Sequence, residues 1–232
     1  MGTIVLPQEE KKASFWARTL TRKGKVLAVR SWQPDHFLEI DVHLPGLNMH
    51  NWTDAQHIKC RVGSFAYRDY TPAGWDADTS TCTLFIDAGH NGVGSAWARS
   101  VKAGDTLYYL GAASSHQQPA ANKRHVFVGD QSAIGHFAAL QQLAGPQAVI
   151  EGAVVLDHEG YGGQLKAFLP RLTVQPLQKS DGSLEHWLRA FPYHEQSVFY
   201  LVGNTAMVVA LRKILKQQGY KGQQIKAQGF WR

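Results

Sequence analysis

The segment Arg68–Thr71 combines side chains that suit a phosphorylated, planar ligand. The guanidinium of Arg68 can bind a phosphate with two parallel hydrogen bonds, and the ring of Tyr70 can stack on a flat heterocycle. The hydroxyl of Thr71 can then hydrogen-bond the edge of that heterocycle. A surface arginine beside a cross-strand aromatic residue is the alternative that these residues leave open.

Alternating apolar and basic residues over positions 58–62 predict a half-buried strand that leads into this segment. If the alternation continues through residue 71, Arg68 and Tyr70 project from one face of the sheet and Asp69 from the other. Pro72 is expected to end the strand, because proline cannot donate to a sheet ladder.

A glycine-rich segment follows the next predicted strand, residues 81–88, and precedes a short helix. Gly89, Gly92 and Gly94 lead to Ser95, which is expected to cap or open that helix. A helix start offers free backbone N–H groups and a positive dipole end to an anion, and glycine allows close approach. A strand-to-helix turn that needs glycine only for its backbone angles is the alternative.

Composition limits the classes of function. The chain has 232 residues, 44% hydrophobic and 18% charged, with a formal net charge of +6 and a sequence pI near 9.3. These values favour a globular protein with anionic partners. The Lys and Arg residues form no long block, so nucleic acid is not an expected partner. No apolar run reaches the roughly 18 residues of a membrane span, and no signal sequence is evident, so we expect a cytoplasmic protein without membrane insertion.

The first half of the chain reads as short strands separated by turns. Strands are predicted at residues 26–29, 37–42 and 81–88 and from residue 106 to 111, which is typical of a small antiparallel β-barrel. Residues 1–17 are expected to be a poorly ordered lead-in with a helical turn at 14–16. Cys60 and Cys82 lie in predicted strands and are expected to be reduced core thiols, with no metal bound.

The second half alternates strands with helices after a polar linker at residues 112–123. The predicted strands are 125–128, 149–156, 172–174 and 198–202, and the predicted helices are 134–143, 184–190 and 206–218. Apolar strands between helices indicate a parallel sheet covered on both faces, which binds ligands at the carboxyl ends of its strands. We therefore expect two domains, residues 1–115 and residues 116–232.

Two strand ends in this half carry polar turns, Gly129–Ala133 and Gly203–Ala206. Neither turn has the Gly-x-Gly-x-x-Gly spacing of a dinucleotide site. Asp130 or Ser132 as an ordinary helix N-cap is an open alternative to ligand binding here.

The residues of the first motif resemble a known superfamily. Arg-x-Tyr-Thr is similar to the flavin motif of the ferredoxin-reductase superfamily, and Arg68–Pro72, with Trp52 and Gln56–His57 upstream, resembles the siderophore-interacting (ferric-siderophore reductase) family. Gly92–Ser95 is similar to the superfamily's Gly-x-x-Ser pyrophosphate loop. The family's His-x-Gly and Ser-x-Trp-Ala segments also stand here, beginning at His90 and Ser95.

The resemblance extends into the second half of the chain. Gly129–Ala133 is similar to the family's Gly-Asp-x-[Ser/Thr]-Ala turn, and Gly229–Arg232 resembles its Gly-Tyr-Trp-Arg tail with Phe230 in place of tyrosine. The implied fold is two-domain and ferredoxin-reductase-like, with an N-terminal antiparallel barrel for FAD and a C-terminal α/β parallel-sheet domain of the NAD(P)H-binding type.

The resemblance also implies a function and a set of site residues. It implies an FAD-dependent reductase that passes electrons from NAD(P)H through flavin to the Fe(III) of a siderophore, without a catalytic acid, base or nucleophile. A ferredoxin-dependent or general flavin reductase, or a non-catalytic binder of flavin or siderophore, stays open. Asp130 should oppose a nicotinamide pyrophosphate and weaken NAD(P)H binding, and Asp157 mildly favours NADH. The expected cofactor-binding residues are Arg68, Asp69, Tyr70, Thr71, Asp87, Ala88, His90, Gly92, Val93, Gly94, Ser95, Trp97, Asp130 and Ser132.

Overall fold

The computed structural model describes residues 21–34, 36–169, 173–178 and 182–231. The lead-in and helical turn expected within residues 1–17 lie outside these ranges. The described chain forms two sheets, one of seven strands and one of five. No helix in the described part of the chain has the length and apolar character needed to cross a membrane.

The first sheet is antiparallel throughout and follows the order β4-β3-β7-β1-β2-β6-β5. Only Thr71 separates β4 from β5, so the two edge strands of the sheet adjoin and the sheet curls into a barrel. The predicted antiparallel barrel is confirmed. Its elements are β1 Arg22–Ser31, β2 Phe37–His43, β3 Gln56–Arg61, β4 Tyr67–Tyr70, β5 Pro72–Asp76, β6 Thr81–Asp87, helix α1 Val93–Ser100 and β7 Thr106–Ser114.

The second sheet is parallel and follows the order β10-β9-β8-β11-β12, as the strand–helix alternation predicts. The central strands β8 and β11 are nearly continuous runs of buried residues, because helices cover both faces of the sheet. The elements are β8 Arg124–Asp130, α2 Ile134–Ala144, β9 Ile150–Leu156, α3 Tyr161–Phe168, β10 Thr173–Gln178, α4 Ser183–Ala190, β11 Ser197–Asn204, α5 Thr205–Gln217 and β12 Ile225–Trp231.

Several local predictions for the first domain were wrong. The half-buried strand predicted at residues 58–62 is β3, but the alternation does not continue unbroken to residue 71, because β3 and β4 form a hairpin with Ile58 opposite Tyr70. Strand β4 does end before Pro72, at Tyr70, but Pro72 also begins β5 and pairs with Leu84, which was not predicted. Gly92 stands at the N-cap of α1, which already includes Gly94 and Ser95, so Ser95 neither caps nor opens the helix.

Two further predictions, for the linker and for the helices that follow it, differ from the structure. The strand before the linker continues to Ser114, so the connection is shorter than the predicted 112–123. Helix α3 was not predicted, because its sequence, Tyr-Gly-Gly-Gln-Leu-Lys-Ala-Phe, has two glycines that disfavour helix.

The two sheets share an apolar core. Phe37 and Phe85 of the barrel belong to the same buried cluster as Phe137 of α2 and Tyr161 of α3. The Tyr161 hydroxyl donates to the carbonyl oxygen of Pro34 at 2.6 Å. These contacts fix one sheet against the other, and the groove between them is therefore a defined space.

Both cysteines are buried and unpaired in the barrel core. Burial raises the pKa of Cys60 to about 12, and burial likewise raises the pKa of Cys82. Neither thiol is therefore a ready nucleophile or metal ligand at neutral pH.

Candidate functional site

A cavity of about 450 Å³ lies between the two sheets. Strand β4, Thr71, the end of β6 and the start of α1 line it from the barrel side. The start of α2 and the end of β12 line it from the parallel-sheet side. Ten of the expected cofactor-binding residues lie on its wall: Arg68, Asp69, Tyr70, Thr71, Asp87, His90, Gly92, Gly94, Ser95 and Ser132.

Arg68 and the first turn of α1 form one end of this cavity. The guanidinium of Arg68 donates to the Tyr67 carbonyl oxygen at 2.7 Å, and no carboxylate pairs with it among the described residues. A Cβ at Gly94 would lie 3.0 Å from the Tyr70 hydroxyl and 3.2 Å from Cγ of Arg68, so glycine allows α1 to pack this closely on β4. An unpaired cation beside a helix N-terminus is suited to an anion.

Tyr70 lies between that end and Thr71, and its ring is supported from behind. Trp97 of α1 stacks on it with a centroid separation of 5.9 Å and an interplanar angle of 24°. Burial is the main cause that raises the pKa of Tyr70, which keeps the phenol uncharged. Trp97 does not line the cavity, so the structure places it as a support for Tyr70.

Asp87 orders the loop between β6 and α1. One carboxylate oxygen accepts from Gly89 N at 3.0 Å, and the other lies 3.0 Å from Nε2 of His90. Ala88 is fully buried, and its N–H donates to the His36 carbonyl oxygen at 2.7 Å. These contacts hold the glycine loop in place at the cavity wall.

The side chains of two expected residues, Asp69 and Val93, offer no free charge or polar group to the cavity. The Asp69 carboxylate pairs with Nζ of Lys59 at 2.8 Å, which neutralises its charge beside the cavity. Val93 is 47% exposed and does not line the cavity. Their side chains therefore add little to a phosphate site.

Asp130 lies in the turn after β8 in the parallel-sheet domain. This turn corresponds to the glycine-rich turn between β6 and α1 in the barrel. Its carboxylate accepts from Ser132 N at 3.0 Å and from Asn204 N at 2.7 Å. It therefore occupies backbone donors at the carboxyl ends of β8 and β11, where a parallel sheet binds its ligand. Burial raises the pKa of Asp130, while the hydrogen bonds with Ser132 and Asn204 oppose that rise.

The C-terminal strand crosses the cavity and bridges the two domains. Nε1 of Trp231 donates to Oγ of Ser132 at 3.3 Å, and the Trp231 ring lies 5.2 Å from that of His90. Phe230 meets His136 edge-on at 5.7 Å. Trp231 is thus both an edge-strand residue, as the sequence favoured, and part of the cavity wall.

Several wall residues were not predicted as site residues. They are His57, Tyr67, Phe85, Ile86, Gly135, His136, Gln228, Gly229, Phe230 and Trp231. The signals available in sequence were a histidine in the otherwise apolar first turn of α2 and the resemblance of Gln56–His57 and Gly229–Arg232 to family segments. Asp157, the expected ribose-binding acid, instead accepts from Gln131 Nε2 at 3.0 Å.

A known family model matches the second half of the chain. Residues 122–232 match the family model described as Siderophore-interacting protein. No curated protein matches the sequence at a significant level.

Solved structures match nearly the whole chain. The Siderophore Interacting Protein from Acinetobacter baumannii superposes with a TM-score of 0.78 at 15% identity, over 91% of this chain and 90% of that one. The siderophore-interacting protein SipS from Aeromonas hydrophila gives 0.75 at 19% identity, over 91% of both chains. The ferredoxin reductase in carbazole 1,9a-dioxygenase gives 0.75 at 15% identity, over 91% of this chain and 69% of that one. The predicted ferredoxin-reductase-like fold is confirmed.

Proposed function

We propose that this chain is a member of the siderophore-interacting protein family, whose model matches residues 122–232, and an FAD-dependent reductase of ferric siderophores. The observation that carries the proposal is the cavity that brings Arg68, Tyr70, Thr71 and the N-terminus of α1 together between the two domains. In this proposal residues 1–115 form the FAD-binding domain and residues 116–232 a domain of the NAD(P)H-binding type. The protein acts in the cytoplasm, without nucleic acid or a membrane as a partner.

The residues present fit FAD. Arg68 supplies a cation that pairs with no carboxylate of the described residues, and Gly92 at the N-cap of α1 places no side chain over the first turn of the helix. A Cβ at Gly92 would meet nothing within 4 Å, so the loop leaves open space beside those backbone N–H groups. Phosphate groups suit this environment, because helix N-termini and guanidinium groups both favour negative charge.

Each residue of the site then has a defined task. Arg68 binds the phosphates, Tyr70 stacks on the ring and Thr71 hydrogen-bonds the ring edge. Trp97 keeps the Tyr70 ring in its orientation through the stacked contact. Phe230 and Trp231 limit access of water from the side of β12. When bound, the flavin supplies the electron transfer from a donor to Fe(III), and the protein supplies binding and orientation.

The electron donor is a separate question, because Asp130 disfavours a nicotinamide dinucleotide. Its carboxylate already occupies the N–H groups of Ser132 and Asn204, and its negative charge opposes a pyrophosphate. We propose that NAD(P)H binds weakly and serves as the donor at high concentration. A ferredoxin is the second candidate donor. The Asp130 carboxylate favours it, because a ferredoxin does not need the backbone N–H groups that this carboxylate already uses.

The charge of the chain suits the proposed substrate. The net charge of +6 attracts anionic partners, and many ferric chelates are anionic. Attraction of this kind raises the local concentration of substrate near the flavin without a tight, dedicated pocket.

The test is an anaerobic titration of the purified, FAD-loaded protein, followed through flavin absorbance. NADH, NADPH or reduced ferredoxin is added first, and a ferric siderophore second. Bleaching by one donor and recovery on addition of the chelate are the expected results. A protein that takes up no FAD, or a bleached flavin that the chelate leaves bleached, contradicts the proposed function.

A further inference from the structure

The cavity has a second polar end, formed by side chains that the proposed phosphate site does not use. His57, His136 and Gln228 all line the cavity, and we call this set the histidine corner. Nδ1 of His57, Nδ1 of His136 and Oε1 of Gln228 are buried and have no hydrogen-bond partner in the described part of the chain. Buried polar atoms without partners are rare and costly, so this set indicates a ligand group.

His136 presents a hydrogen-bond acceptor to that ligand. It is 1% exposed, and its Nε2 lies 2.9 Å from Oε1 of Gln117. In this orientation of the Gln117 amide, the oxygen only accepts, so Nε2 of His136 carries the ring proton. Nδ1 therefore has a free lone pair and requires a donor.

The imidazole of His136 stays neutral at physiological pH. Burial, with a smaller contribution from the charge on His57, lowers the pKa of His136 to about 3. Nδ1 consequently remains an acceptor and does not become a donor near neutrality.

The histidine corner lies at the end of the cavity opposite Arg68. In the β3–β4 pairing Ile58 is opposite Tyr70, so His57 lies beside Thr71, one residue farther along. The first turn of α2 approaches the same point, since a Cβ at Gly135 would lie 3.3 Å from the Thr71 carbonyl oxygen. The wall thus runs from Arg68 through Tyr70 and Thr71 to the histidine corner.

This order assigns an orientation to the ring, given the proposed function on which the inference rests. One half of an isoalloxazine is an apolar dimethylbenzene, and the other is a pyrimidine with an N–H between two carbonyl groups. We propose that the pyrimidine half faces the histidine corner and that Nδ1 of His136 accepts the hydrogen bond of the ring N–H. Only the pyrimidine half of the ring carries an N–H, so the acceptor at His136 selects the flavin ring by its polar edge.

The experiment titrates the flavin-free protein with FAD and with FAD methylated at the ring N–H, followed through flavin fluorescence. Loss of one buried hydrogen bond is expected to weaken binding of the methylated compound by about tenfold. Equal affinity of the wild-type protein for the two compounds overturns the proposal and needs no variant. Failure to bind either compound would contradict the proposed function itself.

Two variants separate the acceptor from the fold. His136→Asn keeps an oxygen near the position of Nδ1 and is expected to retain the preference for FAD. His136→Leu removes the acceptor, so FAD should bind about tenfold more weakly and the preference should disappear. The visible band of bound FAD should also shift in the Leu variant. If the Leu variant keeps wild-type FAD affinity but binds NADH more weakly, the corner holds a nicotinamide carboxamide and the proposal is wrong.

Discussion

Two strand-to-helix turns face the same cavity, one in each domain, and they treat an anion in opposite ways. The turn before α1 begins at Gly92, which has no side chain to fill the helix start, and beside it lies Arg68, which forms no ion pair within the described ranges of the chain. The turn after β8 begins at Asp130, whose carboxylate accepts from Ser132 N and Asn204 N. The first turn is open to a phosphate, and the second already holds a negative charge.

The difference shows that backbone geometry alone does not make an anion site. Both turns present N–H groups at the end of a strand, as helix starts do. One carboxylate, placed by the protein itself, is enough to use those donors and to reverse the local charge. The open turn therefore suits a resident cofactor and the filled turn a weakly bound donor.

The largest expected effect is at the turn before α1, which begins at Gly92 and which we call the open turn. Arg68→Ala should weaken FAD binding by roughly 100-fold, because charge-assisted hydrogen bonds to phosphate are among the strongest in proteins. Fluorescence titration of the flavin-free protein measures this. Arg212→Ala, on an exposed position of α5, removes the same charge and should leave FAD affinity unchanged. Equal affinities of the two variants would show that the open turn does not bind the phosphates.

Substitution in the turn at Asp130, which we call the filled turn, should strengthen binding instead of weakening it. Asp130→Ala frees the N–H groups of Ser132 and Asn204 and removes one negative charge, so NADPH should bind about tenfold more tightly. Isothermal titration calorimetry on the FAD-loaded protein measures the change. Asp105→Ala is the control, because Asp105 likewise accepts from a backbone N–H, that of Lys102, in a turn remote from the cavity. If Asp130→Ala binds NADPH no better than the Asp105 control, the filled turn does not limit donor binding.

A smaller effect is expected from pH. Because burial raises the pKa of Asp130, this carboxyl begins to take up a proton at higher pH than an exposed one as the pH falls. Its negative charge is then lost, so NAD⁺ should bind about threefold more tightly at about pH 5 than at about pH 8. Asp130→Asn carries no charge at either pH and should remove this difference. An identical pH dependence in the variant would assign the effect to another group.

Much of the fold could be predicted from local pattern. Strand β2 alternates buried and partly buried residues, which is the period of a strand in a half-buried sheet. Strand β11 is buried almost throughout, which is typical of a parallel sheet covered on both faces. The hairpin of β3 and β4 was missed because the strand alternation was extended across residues 62–66, although Gly63-Ser64 is a turn signal there. Helix α3 was missed because packing against the barrel, through Tyr161, offsets its weak propensity.

The sequence by itself determined the residues that act within one local segment. Arg68, Tyr70 and Thr71 are neighbours along the chain, and the resemblance to the ferredoxin-reductase superfamily predicts that Gly92–Ser95 belongs to the same site. Only the tertiary structure decided which distant residues complete the cavity. His57 and His136 meet because the barrel packs on α2, and Trp231 reaches Ser132 because β12 pairs with β11. The physical reason is that side-chain periodicity depends on neighbours a few residues apart, whereas the cavity depends on how two sheets pack through their shared apolar core.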